Sequence, residues 1–226
     1  MYTKYMCGRT GYVNSDFKTY GINKVPRGFQ PVYNGAPGMR MPQIFKRDGE
    51  KDVDLFKFGL VPFWSKEPTV KYSTINAMAE KIFTSPAYRM PIMKQRSLTP
   101  VSFYFEWKQM DDKSKQPYLF RLKDREPFAL GSIYDIWKDA EGVAFPSFSI
   151  ITTEPNETAA KFHHRMPLII PKEQWDTWLD DSLLQSDIKQ LMIPYAKVND
   201  LEVFPVRKLV NSPKNQGEDI IEKLVE

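Results

Sequence analysis

Five short segments rich in β-branched and aromatic residues do most to limit what this chain can fold into: residues 98–107, 118–122, 128–134, 147–153 and 167–170. Such side chains suit a pleated, half-buried surface, so each segment is read as a strand. Two polar, charged stretches, 109–116 and 138–142, have the length and character of hairpin connections, which makes the strands they join antiparallel neighbours. Helical readings are fewer: 77–83, 156–162 with Asn156 as N-cap, and 172–179 starting just after Pro171. The class is α+β, dominated by strands. Eighteen prolines and eleven glycines are scattered along 226 residues, with no repeat, low-complexity tract or polar linker to divide them. One continuous domain is expected, and a 42% apolar composition is enough to give it a core.

Charge and cysteine content narrow the function classes. Thirty-two basic residues against 28 acidic ones give a net charge of +4, which permits a nucleic-acid partner without requiring one. A single cysteine excludes an intramolecular disulfide framework and any multi-cysteine metal site, and suits a reducing compartment. No apolar run approaches a membrane span, and residues 1–9 lack the apolar core of a signal peptide, so a cytoplasmic protein without membrane association is expected.

The chain has no G-x-S-x-G element, phosphate-binding loop, dinucleotide fingerprint or H-E-x-x-H motif. Its two histidines, His163 and His164, are adjacent and would point to opposite sides of an extended segment, a poor arrangement for zinc. Neither a metal nor a cofactor is expected. What remains is the opening Met6-Cys7-Gly8-Arg9. Were Met6 an initiator and then removed, Cys7 would carry a free α-amine beside its thiol. Such a 1,2-aminothiol condenses with an aldehyde to an imine, and the thiol then closes on the same carbon to give a thiazolidine. An α-amine titrates near about 7.7–8.0 and lysine near about 10.4, so the terminal amine is by far the better nucleophile at neutral pH. Thiol closure gains from being intramolecular. Taken alone, Cys7 reads as a small buried apolar residue, the usual fate of a lone intracellular cysteine.

An ordered series of motifs resembles the SOS-response-associated peptidase family, whose members sense abasic sites in single-stranded DNA. It comprises Cys7-Gly8-Arg9, Asn34-Gly35-Ala36-Pro37, Phe58-Gly59-Leu60-Val61-Pro62-Phe63-Trp64, Asn76-Ala77-Met78-Ala79-Glu80, Phe105-Glu106-Trp107-Lys108, His163-His164-Arg165-Met166-Pro167 and Lys214-Asn215-Gln216-Gly217. The order and spacing match the family from residue 7 to residue 217.

The resemblance implies curved, mostly antiparallel, barrel-like sheets with peripheral helices, forming a monomeric domain over 7–226 behind a leader, or mis-assigned start, at 1–6. It implies Cys7 as the covalent nucleophile, with Glu106 relaying protons and a pKa raised by partial burial. His163 would protonate the sugar ring oxygen or hold the opened deoxyribose, and Asn76 would hydrogen-bond the reacting groups. Arg9, Asn34, Trp64, Arg165 and Lys214 would bind DNA, with the arginines on phosphates and Trp64 stacked on a base. The chain departs from the family at Ser65, Met78 and Pro86, where a second aromatic and two arginines are usual; Lys81, Arg89 or Lys94 would have to compensate. The expected reaction is covalent capture of abasic single-stranded DNA through Cys7, with a lyase side reaction and self-processing of the leader. Two other readings stay open: a thiol peptidase with His163 as base and Glu106 as its partner, and a non-catalytic single-strand-binding module.

Overall fold

The computed structural model of the chain describes residues 8–69 and 74–224. Within these, the amino-terminal half supplies strands β1 (Thr10–Tyr12), β2 (Val32–Gly35), β3 (Arg40–Arg47), β4 (Glu50–Phe58) and β5 (Asn76–Met78). A short helix α1 (Pro91–Lys94) leads into β6 (Arg96–Val101), β7 (Phe103–Gln109), β8 (Lys115–Leu122), β9 (Phe128–Lys138) and β10 (Ala144–Thr153). The two-residue strands β11 (Met166–Pro167) and β12 (Ile169–Ile170), helices α2 (Trp175–Trp178) and α3 (Gln185–Leu191), and β13 (Leu201–Pro205) complete the order.

Strands β10, β4, β3, β6 and β9 pair in that order, and β9 pairs back to β10, closing a five-stranded barrel in which only the β10–β4 contact is parallel. The β3–β4 hairpin turns through Asp48 and Gly49, at φ 52° and 85°. Positive φ at both central residues gives a loop whose twist matches that of its strands, and Asp-Gly reaches it at little steric cost. Phe45 and Phe56 meet Tyr134 of β9, at 5.5 Å and 5.2 Å between ring centroids, although β9 neighbours neither β3 nor β4. That face of the strands is therefore the barrel interior. The outer face is also apolar: Ile44, Val53, Leu98, Ala129, Ile133 and Ile151 pack in one cluster with Trp175, Trp178 and Ile188 of α2 and α3.

A second sheet, β13-β8-β7-β1-β2, is antiparallel throughout. It continues from the barrel at Ser102, where the expected single strand over 98–107 breaks into β6 and β7. The Ser102 N–H donates to Gly11 O at 2.7 Å and its hydroxyl bonds Asn14, so the chain leaves one sheet there and joins the other. The hairpins at 109–116 and 138–142 form as expected, joining β7 to β8 and β9 to β10. The helix expected over 156–162 is only a 3-10 turn (Ala159–Lys161) whose N-cap is Thr158, although Asn156 Oδ1 does accept the Ala159 N–H at 2.9 Å. The helix expected over 77–83 is instead β5 followed by turns. Pairing of Ala77 with Ile151, and full burial of Ala77 and Ile82, outweigh the modest helix propensity of this segment.

Candidate functional site

The pairing of β1 with β7 sets the geometry around the opening motif. Thr10 lies opposite Tyr104, and Phe105 N–H donates to Arg9 O at 3.0 Å, so the same register carries Gly8 alongside Glu106. Cys7, with the rest of the segment 1–7, lies outside the described residues. Glu106 is only 4% exposed. Its cross-strand partner is Tyr118, and two residues earlier on the same face Tyr104 stacks on Phe120 at 4.8 Å. Phe162 packs against both Tyr118 and Phe120, at 4.6 Å and 5.2 Å, which brings the segment carrying His163 onto the face of β7 that bears Glu106.

His163 is half-buried. Its Nδ1 accepts the Arg165 N–H at 3.1 Å, which leaves the proton of the neutral ring on Nε2. Burial, then the neighbouring His164 ring 4.3 Å away, holds its pKa below the ordinary histidine value. At neutral pH it is an uncharged imidazole with Nε2–H as a hydrogen-bond donor. Asn76 begins β5 beside Ile75, and Ile75 shares one apolar cluster with Tyr104, Phe120 and Phe162.

The two arginines are less exposed than phosphate ligands usually are. Arg165 is 6% exposed and grips both oxygens of Glu80, at 2.7 Å and 2.9 Å, and also Thr152 O at 2.6 Å. Arg9 is 5% exposed and donates to Asn34 Oδ1 at 2.9 Å and to the carbonyls of Val210 and Asn211 at 2.7 Å and 3.2 Å. Asn34 is wholly enclosed: its Nδ2 donates to the carbonyls of Val210, Ser212 and Asn215, and Gln216 Oε1 accepts the backbone N–H groups of Tyr33 and Asn34. The Asn34 motif and the motif at 214–217 therefore hold each other, and Asn34 serves any interface by fixing the carboxyl-terminal segment. Lys214 itself is exposed.

Among the described residues, three buried side-chain nitrogen donors lack an acceptor: Arg9 Nε, Asn76 Nδ2 and Arg165 Nε. Buried donors are nearly always satisfied, so each of these three is a point at which a water or ligand oxygen would be bound.

Trp64 and its neighbour Phe63 stand out of the surface, 56% and 62% exposed. Sequence reasoning singled out Trp64 and passed over Phe63, although an aromatic pair following Pro62 was there to be read. Of the departures, Met78 and Pro86 are exposed, while the Ser65 carbonyl accepts the Trp137 Nε1–H at 2.7 Å. Lys81, Arg89 and Lys94 are all exposed, and Lys94 Nζ bonds Asp181 O at 3.1 Å. No group of three His, Cys, Asp or Glu side chains among the described residues could hold a metal, and no helix there is long and apolar enough to cross a membrane.

Residues 6–213 match the family model described as SOS response associated peptidase. The chain is 35% identical over 223 residues to the abasic site processing protein YoaM of Bacillus subtilis, covering 96% of this chain and 98% of that one. It is 26% identical to the abasic site processing protein YedK of Escherichia coli, over 88% of each chain. Its fold is similar to the crystal structure of a protein from Bacteroides thetaiotaomicron, with a TM-score of 0.86 and 28% identity, covering 97% of this chain and 100% of that one.

Proposed function

The chain belongs to the SOS response associated peptidase family, and from that premise we propose that it processes abasic sites in single-stranded DNA by capturing them covalently through Cys7. The observation that carries this reading is the set of orphaned buried donors on Arg9, Asn76 and Arg165, in a protein whose opening strand runs past a buried glutamate. Three donors without acceptors suit a ligand rich in oxygen, as a deoxyribose phosphate is.

In the proposed reaction the Cys7 α-amine adds to C1′ of the ring-opened sugar, giving a carbinolamine. Loss of water leaves an imine. The thiol sulfur adds to the same carbon while its proton passes to the nitrogen, closing a thiazolidine with one water released overall. Glu106 takes the proton that the amine sheds and returns it to the departing hydroxyl, a transfer that burial among Tyr104, Tyr118 and Phe120 shelters from solvent. His163 Nε2–H and Asn76 Nδ2–H hold the sugar oxygens, Trp64 stacks on a neighbouring base and Lys214 faces a phosphate, while the buried Arg9 and Arg165 have only their unpaired Nε–H groups to offer a DNA oxygen. A peptide bond between Met6 and Cys7 removes the nucleophilic amine, so capture requires Cys7 to be the first residue, either through processing of residues 1–6 or through a start at Met6. The same nucleophile gives the protein lyase and self-cleaving side activities.

The test compares a chain beginning at Cys7 with one that intact-mass measurement shows still to carry residues 1–6, each mixed with an abasic single-stranded oligonucleotide and run on a denaturing gel. Only the first forms a stable adduct on this reading. In that chain Glu106→Gln slows adduct formation by about 10²-fold or more, the usual scale of a lost proton relay, while undamaged strands bind as before. Equal crosslinking by both chains overturns the aminothiol mechanism, and loss of undamaged-strand binding in Glu106→Gln makes the carboxylate structural.

A further inference from the structure

The loop that presents Phe63 and Trp64 is held from beneath by side chains of β9 and β10. Val61 N–H donates to Ser147 Oγ at 2.8 Å, Phe63 N–H to Asp135 Oδ2 at 2.9 Å, and the Ser65 carbonyl accepts the Trp137 Nε1–H at 2.7 Å. Alternate loop residues are thus tied down in turn. Their anchors are neighbours: Asp135 lies directly across from Ser147 in the β9–β10 ladder, and Trp137 sits two residues along β9 on the same face. The loop also closes on itself, with Ser65 N–H donating to Pro62 O at 2.9 Å.

Asp135 is the unusual member. It is 4% exposed and is absent from the molecule's ion pairs among the described residues. Its carboxylate is satisfied by the Phe63 and Ile136 N–H groups and by Gln95. Burial pushes its pKa above the ordinary aspartate value. A carboxylate placed at this cost, with one oxygen on the backbone of an exposed phenylalanine, calls for a purpose beyond barrel packing. The rings it supports have no apolar cover of their own, and large exposed apolar groups side by side mark an interaction surface.

The geometry points to Asp135 and Trp137 as positioning residues for a two-ring platform, Phe63 with Trp64, that stacks on unpaired bases flanking the captured sugar. This rests on the proposed single-stranded substrate. Stacking on a mobile loop forfeits affinity to ordering, whereas a loop fixed at residues 61, 63 and 65 presents its rings already in place.

Equilibrium binding of an undamaged single-stranded oligonucleotide to the full chain tests this in two backgrounds. Trp137→Phe keeps an aromatic side chain but deletes the bond to Ser65 O together with the pyrrole part of the half-buried indole; Asp135→Asn removes the charged acceptor. Each weakens binding about fivefold in the wild-type background, a fraction of what a stacked base contributes, and less than about twofold when Phe63→Ala and Trp64→Ala are already present. Equal losses in both backgrounds show that the pair acts on the barrel at large, and no loss in the wild-type background shows that the ties are idle; either overturns the assignment. Should Asp135→Asn fail to fold, Trp137→Phe alone decides. If Phe63→Ala with Trp64→Ala binds the strand like wild type, the platform falls. Adduct formation with an abasic oligonucleotide, measured alongside, shows whether covalent capture stands without it.

Discussion

Arg165 shows how one side chain can serve fold and site together. Its guanidinium is spent on Glu80 and Thr152, and one buried Nε–H is left over. Through that bidentate hydrogen bond Arg165 holds Glu80 below its ordinary pKa of 4.5. The folded chain therefore binds fewer protons than the unfolded one between the two values. The stabilisation is complete above the unfolded value and is lost as pH falls through the depressed folded one. Glu80→Gln should accordingly lower the denaturant midpoint at pH 6 but not at a pH below the folded value, where wild type and variant converge. Unfolding curves at several pH values check this; a constant gap across the range assigns the loss to packing instead of charge.

At the scale of elements, the short strand β1 gains its hold from what surrounds it. Besides β2 and β7, it is fixed through Arg9 and Asn34 to the 3-10 turn Lys208–Asn211 and the segment after it. Asn34 bonds carbonyls of three residues in that segment and has no contact with solvent. Asn34→Ala strands these acceptors and Arg9 together, and should cost about 1–3 kcal/mol or more of stability. Thermal unfolding gives the loss, and limited proteolysis should find new cleavage within 207–217. A variant with wild-type stability and no new cleavage would mean that the segment is held by Gln216 and the apolar contacts of Val210 and Ile220 alone. The β3–β4 hairpin, by contrast, needs nothing distant, because Asp48-Gly49 encodes its turn locally.

For the whole molecule, a net charge of +4 is too small to hold DNA by field alone, so the location of each cation matters. Lys214 is exposed, whereas the charge of Arg165 is already matched by Glu80. In a salt titration of non-covalent binding, made with a Cys7→Ala chain, Lys214→Gln should flatten the slope of log affinity against log salt by about 0.7, the value for one phosphate contact on a single strand. Arg165→Gln should lower affinity with little change in slope, since fewer counterions are released at a neutralised pair. Identical slopes for Lys214→Gln and wild type would remove Lys214 from the interface.

The sequence by itself determined the family, the strand-dominated class and both hairpins after residue 100, and it nominated candidate site residues, because motif order, alternating apolar character and turn chemistry are local properties. Tertiary structure decided the rest. Residues 98–107 read as one strand, yet Ser102 hands the chain from a barrel to a second sheet, and only the competing pairing with Gly11 makes it do so. Ala77 carries a helical pattern that pairing with β10 overrides. Arg9 and Asn34 look like surface ligands in a motif, but contacts more than 170 residues away in sequence enclose them. Asp135 and Trp137 carried no signal at all: an aspartate and a tryptophan on a strand become supports for Phe63 and Ser65 only because the barrel closes beneath that loop, and hydrogen bonds between distant segments leave no trace in the spacing of either.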